Sequence, residues 1–178
     1  EGDNGYAVDI EKLYDNVMNR YKYGGLDTPG LYLDETTLRT CYYHRRLFAQ
    51  LAKELIKQGD HVRARKVLTY AEQAVPAYNV PEIYESGSFD IATAYAALGE
   101  KTKAVTLFNH LIAESEDYIN WAFSLGNGRT GMMQNDCLYK FWQWNAYNER
   151  MKEIDKESYE ASNRRFEEKY ALFTQIIN

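Results

Sequence analysis

The sequence predicts an all-α fold built as a stack of antiparallel helical hairpins, and three observations carry that prediction. Apolar residues recur at i, i+3 and i+4 in every long segment, and no run alternates apolar with polar as a half-buried strand does. Gly59 and Gly99 each interrupt a helical pattern for only a short turn, which makes the flanking helices pack antiparallel. Around these glycines, small and large residues recur at matching offsets, forty residues apart.

With Arg45 as the first position, Phe48, Leu51, Ala52, Leu55, Gly59, Ala64, Leu68, Ala71 and Pro76 follow the order bulky, bulky, small, bulky, turn, small, bulky, small, stop. That order is the tetratricopeptide-type repeat of 34 residues. A weaker copy starts at Glu85, with Ile91, Ala92, Tyr95, Gly99, Ala104 and Phe108 in register and Ser88 and Glu116 departing from it at the ends. The fold expected is a tetratricopeptide-like, right-handed hairpin stack with additional helices at both termini.

The elements follow in order. Asp9 caps a first helix whose face is Ile10, Leu13, Tyr14, Val17, Met18 and Tyr21, ending near Tyr23 before Gly24 and Gly25. LDTPG then supplies an ordered loop through Asp27, Pro29 and Gly30. Asp34 caps a long helix to about Gln58, and its buried stripe is Leu38, Cys41, Tyr42, Leu47, Phe48, Leu51 and Leu55. Asp60 recaps the chain for a helix to about Val75, closed by Pro76. AYNVPEIYESGS lengthens the connection between repeats. Phe89 to Leu98 and Lys101 to about Ser124 form the second hairpin, with Ala92 and Ala104 as points of close approach. From Met132 to Asn178 neither Gly nor Pro occurs, and helical spacing runs through Leu138, Phe141, Trp142, Met151, Phe166, Tyr170, Phe173 and Ile177. One rod of that length would be about 70 Å, so a break near Asp155 to Ser158 should fold the last helix back. A single domain over residues 1–178 results, divided into an N-terminal helix and loop (1–33), two hairpins (34–125) and C-terminal helices (126–178).

Composition excludes several functions. The formal charge of −5 gives no electrostatic case for nucleic acid. No apolar run reaches the roughly 20 residues needed to span a bilayer, and EGDNGYAVD has neither a basic start nor an apolar signal core. The chain starts without Met and reads as a trimmed piece whose targeting signals lie upstream. Cys41 and Cys137 are too few and too far apart for a disulfide framework or a zinc site, and a bridge between them stays open.

No catalytic constellation can be picked out. GNGRTG, residues 126–131, matches Gly-x-Gly-x-x-Gly, but no strand feeds it, so a plain loop is expected rather than a dinucleotide site. Cys41 and His44 share a helix face at i, i+3, while His61 and His110 show no partner spacing, so no metal or other cofactor is expected. The alternating charges of ERMKEIDKE, with Glu160 and Arg164 at i, i+4, make a solvated face. The 16 tyrosines fill helix interfaces with wet hydroxyls, or else form a surface for sugar or peptide.

The repeat register selects one surface. Positions 2, 5, 9 and 12 of each repeat's first helix face the concave groove. Here they are Arg46, Ala49, Lys53 and Ile56, then Ser86, Phe89, Thr93 and Ala96. Arg46, Lys53, Phe89 and Thr93 are the candidate ligand-binding residues, and Arg46 with Lys53 is suited to a carboxylate.

LYDNVMNRYKYGGLDTPGLYLDE (13–35), HRRLFAQLAKELIKQGD (44–60) and AYNVP (77–81) together resemble the C-terminal region of a bacterial family of large, uncharacterised, multi-spanning membrane proteins. The N-terminal part of those proteins resembles protein O-mannosyltransferases. The resemblance covers most of residues 8–125. It implies a soluble, periplasmic tail of an inner-membrane, glycosyltransferase-like protein. No catalytic residue carries over, because the catalytic carboxylates of such transferases lie in the membrane region. The expected role is a non-catalytic interaction or scaffold domain, whose partner is a polypeptide or the protein's own membrane region. The alternative is a glycan-binding module that uses rings such as Trp121 or Trp144 as stacking platforms.

Overall fold

The computed structural model describes residues 8–177. Among them are eight α-helices and no strands. Helix α1 (Ile10–Asp15) starts where Asp9 accepts from the Lys12 amide at 2.9 Å, then widens into a π-helical turn, Asn16–Arg20. It stops three residues short of the expected Tyr23. The backbone turns extended at Tyr21, and the Tyr23 ring leaves the helical face to pack among His44, Phe48 and Tyr70. The Tyr23 hydroxyl donates back to the Val17 carbonyl at 2.6 Å.

Helix α2 (Glu35–Lys57) starts at Asp34, whose carboxylate accepts from the amides of Thr36 and Thr37. Gly59, at φ 78°, takes the left-handed conformation that ends it. Asp60 then accepts from the Arg63 amide and opens α3 (His61–Ala74). The second hairpin is α4 (Ser88–Ala97) and α5 (Lys101–Ser124). The two hairpins meet along α2 and α4. The small residues of the register, Ala52, Ala64, Ala92 and Ala104, are fully buried where the helices approach, with Phe48, Leu55, Leu68 and Phe108 beside them.

The segment between the hairpins is anchored from two sides. Asn79 donates to the carbonyls of Leu26 and Thr28 at 2.7 and 2.6 Å, and the Tyr78 hydroxyl donates to Asp27 O, clasping the N-terminal loop. From α2, the Arg45 guanidinium, 5% exposed, donates to the carbonyls of Val75, Val80 and Pro81 and to the hydroxyls of Ser86 and Ser88. Burial without a carboxylate contact pushes its pKa down to about 10, with Glu82 partly opposing the shift.

This clamp presses a 3₁₀ turn (Tyr84–Ser86) and Gly87 onto α2. A Cβ at Gly87 would lie 2.7 Å from Arg46 Cγ and 3.2 Å from Arg46 Cα, so only glycine fits at this φ of 83°. The clamp also corrects the expected register. The first positions of the second repeat lie in this turn rather than in a helix, and Ser86, expected in the groove, is buried on Arg45.

The C-terminal region adds α6 (Asn127–Met132), α7 (Gln134–Ile154) and α8 (Lys156–Ile177). GNGRTG lies mostly within a short helix, where a loop was expected. The buried Thr130 hydroxyl donates to the Ala122 and Gly126 carbonyls and closes the turn against the end of α5. The break in the last helical run falls at Asp155, which is extended and accepts from the Ser158 hydroxyl at 2.6 Å. There α8 folds back onto α7. Asn178, the end of the expected helix, lies outside the described residues, as do residues 1–7.

Helix α7 packs on α5 and on α8. Because it has two neighbours, its buried face is Cys137, Phe141, Trp144, Tyr147 and Met151, while Leu138 and Trp142 of the expected pattern remain exposed. Both cysteines are free and buried, Cys41 on α2 and Cys137 on α7. No helix among the described residues is long and apolar enough to cross a membrane.

Candidate binding cleft

An open cleft of about 680 Å³ runs beside the N-terminal half of α2. Its first wall is Leu38, Tyr42 and Arg46, which the i, i+4 spacing keeps on one helix face, with Glu35, Arg39 and Tyr43 along the rim. The facing wall comes from the clamped turn and the start of α4: Ile83, Tyr84, Glu85, Gly87, Phe89 and Asp90. Tyr139 of α7 closes one end. Consecutive residues of a helix point about 100° apart, so Arg45 goes into the clamp while Arg46 goes into the cleft.

Aromatic rings dominate the far wall. Tyr84 is met edge-on by Tyr139 and Trp142, at centroid distances of 6.5 and 5.3 Å, and lies tilted against Phe89 at 5.7 Å. Tyr139 and Trp142 stack nearly parallel, 11° apart at 5.7 Å. Behind them, Phe89 rests on Tyr147 and Phe108 in the core. Rings braced in this way present fixed apolar faces with little rotamer entropy left to lose on binding.

The charges divide between the walls. Glu35 and Arg39 pair with each other at 2.6 Å. Arg46 lies over the Tyr43 ring, its Cζ 4.5 Å from the centroid, and forms no ion pair among the described residues. Opposite, Glu85 accepts only from the buried Gln143 amide at 3.1 Å, and Asp90 has no ion-pair partner among the described residues. Burial raises the Tyr84 phenol pKa, followed by its neighbours Tyr139, Asp90 and Glu85, and burial with Glu85 raises that of Tyr42. Both phenols therefore stay neutral and available as hydrogen-bond donors.

The four candidate groove residues do not share one site. Arg46 and Phe89 line this cleft. Thr93 lines a separate crevice of about 300 Å³ with Phe108, Arg150 and Glu153, and its hydroxyl donates to Phe89 O. Lys53 is exposed on α2, about 10 Å of helix rise from Arg46 and outside the cleft, so the two cations do not converge on one carboxylate. Ala49 is buried and Ile56 half-buried against the core. Sequence reasoning missed Tyr84, Glu85, Asp90, Tyr139 and Trp142. For Tyr84 and Glu85 the available signal was the aromatic and acidic content of the insertion, IYES.

Of the rings considered as platforms, Trp144 is 0% exposed and donates its indole N–H to the Ser162 hydroxyl at 2.8 Å. Burial removes it as a platform, whereas Trp121 is 49% exposed beside Tyr118 and Trp142 is 52% exposed. Cys41 and His44 do not assemble a metal centre. His44 packs edge-on to Tyr21 and Tyr23, burial lowers its pKa, and the described residues hold no cluster of three or more metal-ligating side chains. Compared with known families, with curated proteins and with solved structures, the chain matches none.

Proposed function

We propose that this chain is a non-catalytic protein-interaction or scaffold domain that holds a segment of polypeptide in the cleft beside α2. In this reading, α2–α3 and α4–α5 act as two tetratricopeptide-like hairpins of a right-handed stack, and the cleft is the part of their concave face left open. The observation that supports it is a preformed, open channel with braced aromatic rings on one wall and unpaired charges of opposite sign across it, Arg46 facing Glu85 and Asp90. Apolar grooves with a few fixed polar groups suit side chains of an extended or helical ligand. The resemblance read from residues 13–81 extends the proposal to its setting: an extracytoplasmic, periplasmic tail of an inner-membrane, glycosyltransferase-like protein, with a polypeptide or the protein's own membrane region as partner.

An array of acetylated, amidated twelve-residue peptides tests the reading. A subset should bind, and Tyr84→Ala should weaken that subset about tenfold while leaving the melting temperature within a few degrees. If no peptide binds, the polypeptide reading is lost. A second reading, glycan binding, draws on the half-exposed, parallel Tyr139–Trp142 pair, whose indole face suits a sugar ring. Quenching of Trp142 fluorescence by oligosaccharides would favour it.

A further inference from the structure

Resting on the reading that the cleft holds polypeptide, we propose that its occupant carries a lysine or arginine whose cationic head sits by Tyr84, between Glu85 and Asp90. The charges of the lining lead there. Glu35, Glu85 and Asp90 face Arg39 and Arg46, and removing the self-paired Glu35 and Arg39 leaves two carboxylates against one guanidinium, a local net of −1. Arg46 lies over the Tyr43 ring on the opposite wall and forms no ion pair with Glu85 or Asp90 among the described residues, so both carboxylates keep room for a cation from the ligand. Tyr84, Glu85 and Asp90 line the same wall of the cleft, which places the cation site next to the Tyr84 ring.

The second component is aromatic. Tyr84, Tyr139 and Trp142 lie within 6.5 Å of one another, and ring faces attract cations while supporting the aliphatic stem that leads to them. A neutral side chain would forgo the attraction of both carboxylates, and an acidic one would be repelled. The buried Arg45 does not compete for these carboxylates, because both of its terminal nitrogens are already engaged by carbonyl and hydroxyl oxygens. Arg46, across the channel, is placed to receive an acidic neighbour in the same segment.

The probe is a seven-residue peptide, acetyl-Gly-Ser-Ala-X-Ala-Ser-Gly-amide, with X as Arg, Lys, Gln or Glu, titrated into the isotope-labelled domain and followed by amide chemical shifts. The Arg and Lys peptides are expected to shift Tyr84, Glu85, Asp90 and Tyr139 and to bind about tenfold more tightly than the Gln peptide. A Glu85→Gln, Asp90→Asn double variant should erase that preference and bring Arg binding to the Gln level. Both substituted residues are exposed, and an unchanged melting curve confirms an intact fold. If the Gln or Glu peptide shifts the same amides equally well, or the double variant keeps the preference, the cation site is wrong while the polypeptide cleft stands. If no peptide shifts the cleft and an oligosaccharide does, both fall in favour of glycan binding.

Discussion

At the seam between α2 and the inter-repeat insertion, a guanidinium is buried with both terminal nitrogens hydrogen-bonded, whereas the seam of α5, α7 and α8 buries several polar groups and satisfies only some of them. Arg45 collects three carbonyls and two hydroxyls. In the other seam, the Trp144 indole donates to Ser162, and Ser162 donates to Asn148 Oδ1 at 2.6 Å. Yet Gln143 Oε1 and Asn148 Nδ2 find no protein partner, and the Ser115 and Tyr147 hydroxyls have only each other, in poor geometry, although all four residues are fully buried. The net worth of a hydrogen bond is small, but the cost of an orphaned group is large. The first seam is therefore an anchor that fixes one arrangement. The second is held mainly by its rings and aliphatic contacts, with the Trp144–Ser162–Asn148 chain as its main polar support.

Four substitutions sharpen or break that contrast. Arg45→Met should be the most damaging, at about 4 kcal/mol by chemical denaturation, because it strands three carbonyls at once, while the Ser86 and Ser88 hydroxyls keep each other and Ile83 O. It should also raise amide exchange across residues 76–87. A loss under about 1 kcal/mol would mean that the insertion is held by its own packing. Gly87→Ala comes next at about 2 kcal/mol, from left-handed backbone strain plus the contact with Arg46, and peptide binding should fall with it.

Ser162→Ala should cost about 1.5 kcal/mol, since it strips the Trp144 indole of its acceptor and Asn148 of its donor. Near-UV circular dichroism would report the loosened indole. Tyr147→Phe should be close to neutral, within about 0.5 kcal/mol, because the deleted hydroxyl meets only the Ser115 hydroxyl, in poor geometry, and the ring contacts to Tyr84 and Phe89 remain. A loss as large as that of Ser162→Ala would show that the poorly partnered polar atoms of this seam carry as much weight as its well-paired ones.

Much of the helical framework was legible because it depends on local signals. Asp34 and Asp60 sit at helix starts, Gly59 and Gly99 at tight turns, and Ala52, Ala64, Ala92 and Ala104 where helices touch, so each residue's type and spacing carried its own evidence. The cleft was legible only in part. Arg46 and Phe89 followed from the repeat register, but the wall facing α2 depends on how the insertion lies, and that depends on Arg45 meeting carbonyls that have no sequence signature. Tyr139 and Trp142 depend on how α7 is rotated. That rotation was ambiguous because the helix is aromatic around its circumference and packs on two neighbours, so periodicity did not distinguish Trp142 at the surface from Trp144 in the core. Lys53 illustrates the same limit: the register gave its direction on α2 but not the extent of the open channel.

The Arg45 clamp grips the insertion largely through backbone oxygens, three carbonyls that any residue would provide, together with Ser86 and Ser88. Ile83, Tyr84 and Glu85 contribute none of those contacts, yet they form much of the cleft wall. The insertion thus behaves as an exchangeable cassette: its holder is indifferent to the residues at 83–85, so this wall can be rewritten for a new ligand without redesigning the helices that carry it.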